Sequence, residues 1–290
     1  MAHEYAGVVV RSRIKIDNAF IDAAANLRFI ARSGSGLENI DVAYAESKGI
    51  AVYNSPEGNR DAVGEHAVGM LLMLLNNLRQ ADTDVRAGRW PREENRGYEI
   101  AGKTVGIIGY GLMGSSFAQK LSGFGARVIA YDKYKSQFSD QWAVPVSLEE
   151  LKADADIVSL HLPLNEETHY YADAQFFASF AKPFYFINTA RGPIVDETAL
   201  IRALSEGWIA GAGIDVFEQE PPRPDHPLFA MDNVIVTPHG LPWTEEIARD
   251  NGLEACDNIL SVARGQAPGG VVNRAVLRRP GFQNKLQRYL

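Results

Sequence analysis

Short runs of aliphatic and β-branched residues alternate with helix-sized amphipathic stretches along most of the chain. That alternation is the pattern of parallel α/β layers. The first part predicts strands at residues 7–11, 27–31 and 50–53, with helices at 18–25 and 42–47. A long helix is predicted at 62–78, containing the apolar run Ala67 to Leu75 (AVGMLLMLL). Apolar on all sides, it is expected to pack on two faces, between domains or between subunits. After a polar stretch at 86–102, strands are predicted at 104–109, 127–131, 157–160, 185–188, 211–215 and 234–237. Helices fall between most of them, at 115–124, 148–152, 173–179 and 197–206, and a last helix spans 244–263. The second series suits a doubly wound sheet. Only three strands precede the long helix, which is thin for a separate layer. The first domain is therefore expected to gain from the C-terminal helix or to lack an N-terminal piece.

Composition narrows the partners. The 290 residues suffice for one large or two medium domains, and 46% hydrophobic with 22% charged residues is ordinary for a globular protein. The net charge of −7 argues against a nucleic-acid or anionic-membrane surface, although a local basic pocket could still take a small anion. Cys256 is the single cysteine, so no intrachain disulfide can form, and a buried, inert side chain is expected. The N-terminus lacks the basic-then-apolar order of a signal peptide, and the apolar run is about half a membrane span. A cytoplasmic location is expected.

The segment Lys103 to Gly114 (KTVGIIGYGLMG) contains GxGxxG between a predicted strand and a predicted helix. In that context each glycine has a task. Gly109 permits the tight turn, Gly111 lets the backbone approach a pyrophosphate, and Gly114 lets helix and strand pack closely. The helix N-terminus favours the anion. Asp132 closes the next strand, where a carboxylate accepts a ribose diol and repels a 2′-phosphate, so NAD is favoured over NADP. Lys133, beside it, pulls the other way.

Three later strands end in charged or proline-rich turns: Asn188-Thr-Ala-Arg191-Gly-Pro, Asp215-Val-Phe-Glu-Gln-Glu220-Pro-Pro and Thr237-Pro-His239-Gly. In an open parallel sheet all three lie at the carboxyl edge, the edge of the glycine turn. An Arg, a Glu and a His there suit oxidation of a 2-hydroxy acid. Histidine takes the hydroxyl proton, a carboxylate orients the ring and raises its pKa, and an arginine fork matches the substrate carboxylate. Taken singly, each is as readily a surface residue. It is the conjunction beside a nucleotide turn that carries the reading.

The segments RSGSGLENIDVAYAESKGIAV (32–52), NSPEGNRDAVGEHAVGMLL (54–72), GKTVGIIGYGLMG (102–114), HLPLNEETHY (161–170), NTARGPIVDETAL (188–200), AGAGIDVFEQEPP (210–222) and TPH (237–239) resemble the D-isomer-specific 2-hydroxyacid dehydrogenases, most of all their phosphoglycerate dehydrogenase branch. The resemblance runs in order over nearly the whole chain. It implies an α/β architecture: a Rossmann NAD domain at 58–240 and a smaller, discontinuous, flavodoxin-like substrate domain from 1–57 and 241–290. It implies Arg191 as the substrate-binding arginine, Glu220 as the carboxylate partner and His239 as the acid/base. Asp215 would hold the nicotinamide carboxamide, and Pro163 and Thr168 would line the cofactor pocket. Leu112, Met113, His161, Thr189, Ala190 and Gly240 join the cofactor set. The backbone amides of Ser33, Gly34, Ser35 and Gly36 would receive the substrate carboxylate. The turn Arg11-Ser12-Arg13 resembles a phosphate-contacting segment, and Arg32 adds positive charge. A homodimer formed largely through the long helix is also implied, with no metal.

Three departures stand out. Gly240-Leu-Pro-Trp243 replaces the usual Ile-Gly-Gly after the histidine, which bears on substrate shape. Leu112-Met113 occupies a place where an Arg or Lys often leads. The chain opens at the family's third strand region, and with no regulatory domain after residue 290, serine feedback through one is not expected. The expected activity is 3-phosphoglycerate dehydrogenation for serine synthesis, with hydroxypyruvate, glyoxylate or another 2-keto acid as the alternative substrate. A non-catalytic NAD sensor would not need the Arg191, Glu220 and His239 set.

Overall fold

The computed structural model describes residues 4–240, 244–264, 266 and 270–279. Leu241, Pro242 and Trp243, part of the departure after His239, lie outside the described residues. The chain divides into two compact units, residues 1–60 with 242–290, and residues 61–241. The first cut falls after Arg60 rather than residue 57, because the turn Glu57–Asn59 packs within the first unit. Asn251 donates to Asn59 there at 2.7 Å.

The first unit holds a parallel three-stranded sheet of β1 (Gly7–Val10), β2 (Phe29–Arg32) and β3 (Ala51–Asn54), in that order. Its helices α1 (Asn18–Ala23) and α2 (Val42–Ser47) start on Asp17 and Asp41, whose carboxylates accept the first-turn N–H groups of Phe20 and Tyr44. Ile16, Ile21, Ile30, Ile50 and Val52 form one core layer. The opposite layer gathers Tyr53, Val262, Val271 and Val276. The C-terminal segment closes this layer at β3. Asn273 accepts from Val52 N–H and donates to the Ile50 carbonyl, both at 2.9 Å. The sheet therefore does gain from the end of the chain, as its thinness required.

The second unit is built on a seven-stranded parallel sheet. Its strands are β4 (Thr104–Ile108), β5 (Arg127–Tyr131), β6 (Val144–Pro145), β7 (Ile157–Leu160), β8 (Phe184–Asn188), β9 (Ile209–Ile214) and β10 (Val234–Val236). Their order is β10-β9-β8-β7-β4-β5-β6, so direction of winding reverses between β4 and β7. All four residues of β7 are buried, as a strand covered on both faces must be. One face packs on α3 (Arg60–Leu75) and α5 (Leu112–Leu121) through Leu71, Leu75 and Phe117. The other packs on α7 (Ala174–Ala178) and α8 (Glu197–Ser205) through Phe177, Leu200 and Leu204. Helix α6 (Leu148–Asp154) adds Leu151 to that face and begins on a Ser147/Glu150 capping box.

Four expectations need correction. The helix predicted at 62–78 ends at Leu75, and Asn77 turns left-handed (φ +50°) before a separate helix, α4 (Leu78–Arg86). The polar sequence of α4 left it unassigned, between the predicted helix and the polar stretch at 86–102. Helix α5 starts at Leu112 and not at residue 115, because Gly111 itself is the N-cap. The edge strand β6 is only two residues long, too short to leave a pattern. Cys256 is exposed. Helix α9 (Glu245–Ala263) buries Ile247, Asn251, Ala255, Asn258 and Val262, and position 256 falls just off that stripe.

Candidate functional site

The nucleotide turn is fixed by sterics. At Gly109 the chain adopts φ +93°, and a Cβ there would lie 2.5 Å from the His161 carbonyl oxygen. A Cβ on Gly114 would lie 2.2 Å from the Gly109 oxygen. Gly111 is different, with nothing within 4 Å of its Cβ position. Helix α5 starts there without a side-chain cap, whereas Ser147, Asp173 and Asp196 cap α6, α7 and α8. Its first-turn N–H groups and the positive end of its dipole are thus left to an anion. Leu112 is exposed and Met113 half-buried. With these two side chains uncharged, backbone amides must do the holding.

Asp132 follows β5 and accepts N–H groups from Tyr110 and Tyr134, each at 2.9 Å. This ties the glycine turn to the end of β5, and carboxylate oxygens retain capacity for a diol. Lys133 Nζ lies 2.8 Å from Glu167 Oε2, so its charge is already engaged. The expected NAD preference gains from that pairing.

The turns after β8, β9 and β10 assemble the charged trio. Asn188 accepts from Ala190 N–H and donates to the Arg191 carbonyl, both at 3.1 Å, which shapes the turn presenting Arg191. Gly192 lets the two neighbouring turns touch, since a Cβ there would lie 1.8 Å from the Phe217 oxygen. His239 Nδ1 lies 2.7 Å from Glu220 Oε2, and Glu220 Oε1 accepts the Phe217 N–H at 3.1 Å. The ring is therefore fixed by one nitrogen, leaving Nε2 for chemistry. His239 also sits in the left-handed region (φ +51°), held by its N–H bonding to the Asp215 and Thr237 carbonyls. Such strain in a non-glycine residue persists only where the surroundings enforce it.

The charges are coupled. The hydrogen bond with Glu220 raises the His239 pKa above its ordinary 6.5, against burial and the nearby Arg191. For Glu220, burial acts upward as the largest single influence. The bonds from His239 and Phe217 N–H together outweigh it, and its pKa is lowered.

Asp215 was expected at the cofactor, and the structure adds partners that sequence reasoning missed. Its side chain is fully buried, and Oδ1 accepts from Thr237 Oγ1 at 2.6 Å and from Gly240 N–H at 2.9 Å. His66 Nε2, from α3, lies 3.2 Å from Thr237 Oγ1. The signal that could have found it is a partly buried histidine directly before the apolar run Ala67 to Leu75. Asp215 Oδ2 and Thr189 Oγ1 are both buried without a hydrogen-bond partner among the described residues. Orphaned polar atoms on the same sheet edge as an uncapped glycine turn are what a site shaped for a nicotinamide dinucleotide should present. The residues present fit that group.

Other members of the expected cofactor set have structural duties as well. His161 meets Ser159 Oγ at 2.9 Å, and burial pushes its pKa down to about 4, so it stays neutral. Thr168 Oγ1 donates to the Pro163 carbonyl at 2.5 Å and closes the 163–168 loop. Ala190 is buried, and its carbonyl accepts from Arg191 Nη1 at 2.6 Å.

In the first unit, the loop 33–36 follows β2. Ser33 N–H donates to the Val10 carbonyl at 3.0 Å, which removes this amide from the expected carboxylate-binding set. The Gly34 and Ser35 carbonyls accept from Ser55 N–H and Asn54 Nδ2, and Asn59 Nδ2 reaches Ser35 Oγ at 3.1 Å. The loop is thus held through its oxygens, and the amides of Gly34, Ser35 and Gly36 have no hydrogen-bond partner among the described residues. Arg11, Ser12 and Arg13 form an exposed turn at the end of β1, where Asn39 Nδ2 holds the Arg11 and Ile14 carbonyls. Val10 pairs with Arg32, so this turn and the glycine loop leave the same sheet edge side by side.

Residues 68–240 match the model of the D-isomer-specific 2-hydroxyacid dehydrogenase NAD-binding domain. A glyoxylate reductase of Thermofilum pendens is 39% identical over 272 residues, covering 91% of this chain and 80% of the relative. A D-3-phosphoglycerate dehydrogenase of Archaeoglobus fulgidus is 37% identical over 97% of this chain, which spans only 54% of that protein. Among solved structures, the D-lactate dehydrogenase of Aquifex aeolicus, complexed with NAD and lactic acid, superposes with a TM-score of 0.84 at 29% identity. That match covers 94% of this chain and 88% of the other.

Proposed function

The chain belongs to the D-isomer-specific 2-hydroxyacid dehydrogenases, NAD-dependent oxidoreductases, and from that premise we propose that Arg191, Glu220 and His239 carry its chemistry. The supporting observation is the 2.7 Å contact of His239 Nδ1 with Glu220, beside Arg191, at the sheet edge of the nucleotide turn. Bound NAD supplies the hydride acceptor at that edge. In oxidation, neutral His239 Nε2 takes the hydroxyl proton; in reduction, the imidazolium returns one to the carbonyl oxygen. Glu220 keeps Nε2 facing the reacting oxygen and stabilises the cation. Arg191 pairs with the substrate carboxylate, which orients the reacting carbon toward His239.

We take the substrate to be an acid with a second anionic group, best represented by 3-phosphoglycerate and its keto acid, with a place in serine synthesis. The support is the adjacency, within the first unit, of the amides of residues 34–36 and the Arg11-Ser12-Arg13 turn. The first suits a carboxylate and the second a phosphate. A second reading, reduction of glyoxylate or hydroxypyruvate, is favoured by the likeness to glyoxylate reductases. NADH oxidation with 3-phosphohydroxypyruvate, hydroxypyruvate and glyoxylate separates the two. Under the phosphoglycerate reading, replacing both Arg11 and Arg13 by Ala raises KM for the phosphorylated acid alone. Unchanged selectivity would leave the glyoxylate reading.

We also propose a cytoplasmic homodimer. Leu78, Val85, Trp90 and Tyr98, on α4 and the segment after it, are large apolar side chains left exposed, which supports this reading. Light scattering of the purified protein tests the dimer, and cell fractionation tests the location. No helix among the described residues is long and apolar enough to cross a membrane.

A further inference from the structure

Thr237 has one hydroxyl proton and two polar neighbours in line. Its Oγ1 lies 2.6 Å from Asp215 Oδ1 and 3.2 Å from His66 Nε2. Asp215, as a carboxylate, can only accept. The shorter contact therefore takes the hydroxyl proton, and Thr237 Oγ1 is left as the acceptor for His66. That fixes the histidine: Nε2 must bear a proton, whether the ring is neutral or cationic. The remaining acceptor near the hydroxyl is the Met70 sulfur at 3.9 Å, which is weak and distant. Without a donor at His66, Thr237 keeps its bond to Asp215 but loses the contact that fixes the hydroxyl from its other side, and Asp215 Oδ1 loses the Nε2 that lies 3.7 Å from it.

The consequence falls on the far oxygen of the carboxylate. With Oδ1 accepting from Thr237 and from Gly240 N–H, Asp215 Oδ2 is left buried with no hydrogen-bond partner among the described residues. An unpaired buried carboxylate oxygen is costly, and a donor from a ligand would relieve it.

We propose that His66 is a positioning residue for the cofactor: through Thr237 it sets Asp215 so that Oδ2 meets the amide N–H of a nicotinamide carboxamide. This rests on the reading of Asp215 as the carboxamide acceptor. His66 itself touches neither substrate nor cofactor in this arrangement. It governs which oxygen of Asp215 is presented.

Calorimetric titration of the purified enzyme with three probes tests the idea. NADH carries the amide donor, reduced 3-acetylpyridine adenine dinucleotide replaces it with a methyl ketone, and ADP-ribose lacks the ring altogether. His66→Ala should weaken NADH about tenfold while changing the other two by less than about twofold. His66→Gln, which restores an N–H donor, should recover most of the NADH affinity. Asp215→Asn serves as the reference and should also weaken NADH more than the ketone analogue. Equal losses for NADH and the analogue in His66→Ala, or no loss at all, would overturn the role of His66 if Asp215→Asn still discriminates. Should Asp215→Asn fail to discriminate, the carboxamide reading falls and the proposal with it. Unchanged ADP-ribose binding certifies that each variant is folded.

Discussion

The glycine turn after β4 and the charged turns after β8, β9 and β10 share one sheet edge but are built on opposite principles. The glycine turn works by exclusion. Gly109 and Gly114 admit no side chain, and the open side of Gly111 leads to a helix start that no side chain caps. Its specificity is shape plus unpaired backbone, neither of which titrates in the accessible pH range. The charged edge works by coupling. His239 and Glu220 shift each other's protonation, the charge of Arg191 acts on both, and His239 is held in a strained conformation. One region should therefore respond to volume and ignore pH, and the other should do the reverse.

The largest effects come from crossing the two. In Gly114→Ala the new methyl meets a backbone oxygen at 2.2 Å, and something in the turn must move. An overpacking cost of about 3 kcal/mol, felt at the pyrophosphate seat, weakens NADH about a hundredfold. That loss should be the same at pH 6 and pH 8. His239→Ala should do the opposite, cutting turnover by about a hundredfold or more with NADH binding nearly intact. If calorimetry found pH-dependent NADH binding in Gly114→Ala, or turnover assays found an active His239→Ala, the division of labour would collapse.

A smaller effect sharpens the charged side. Reduction of a keto acid needs protonated His239, and the Glu220 bond raises its pKa above 6.5. The alkaline limb of the kcat/KM profile should therefore lie above that value in the wild type. Glu220→Gln removes the charge that favours the imidazolium, so the limb should move toward acid, with a loss of about tenfold or more in rate. An unmoved limb would mean that Glu220 orients the ring without tuning it.

The same coupling leaves a faint mark on stability, and its sign is fixed. A raised His239 pKa stabilises the fold below pH 6.5, and this is lost as pH rises through the raised value. A lowered Glu220 pKa stabilises above 4.5, and this is lost as pH falls through the lowered value. The pair contributes most between those two ordinary values. Both side chains are more than a third exposed (38% and 37%), so solvent screens much of the effect. His239→Ala should lower Tm by about 2 °C near pH 5.5 and by less at pH 9. A uniform drop would assign the loss to packing.

The contrast also explains what the sequence could reveal. The glycine turn was legible because its requirements are local: three glycines, a strand before and a helix after, all within a dozen residues. Arg191, Glu220 and His239 were legible as residue types at strand ends, but their contacts depend on strand order. His66 stayed hidden because its partner Thr237 lies on β10's far turn, on the other side of the sequence. Asn54 and Asn59, which hold the 33–36 loop by its oxygens, were hidden for the same reason. The misplaced amide of Ser33 was lost to a β1 carbonyl that no local pattern announces. Cys256 was misjudged because burial on α9 depends on which face meets the sheet, and an exposed position one residue off the stripe carries no distinguishing mark.

The smallest expected effect lies where shape and charge meet, at the ribose end of the glycine turn. Asp132 anchors the turn through two N–H groups, so its removal would confound geometry with charge. Lys133 and Glu167 offer a cleaner lever. Glu167 Oε2 holds Lys133 Nζ at 2.8 Å and the Tyr134 hydroxyl at 2.6 Å, and both side chains of the ion pair are more than half exposed. Such a pair contributes little to stability, so Glu167→Ala should leave Tm alone. What it changes is the destination of the Lys133 charge. Released, Lys133 can offset Asp132 and attract a 2′-phosphate, so 2′,5′-ADP should bind about threefold tighter while 5′-AMP is unchanged. Equal binding of both nucleotides before and after would place the whole NAD preference on Asp132. A gain for both would place the effect in the shape of the loop, and charge would then have no part in discrimination at this end of the site.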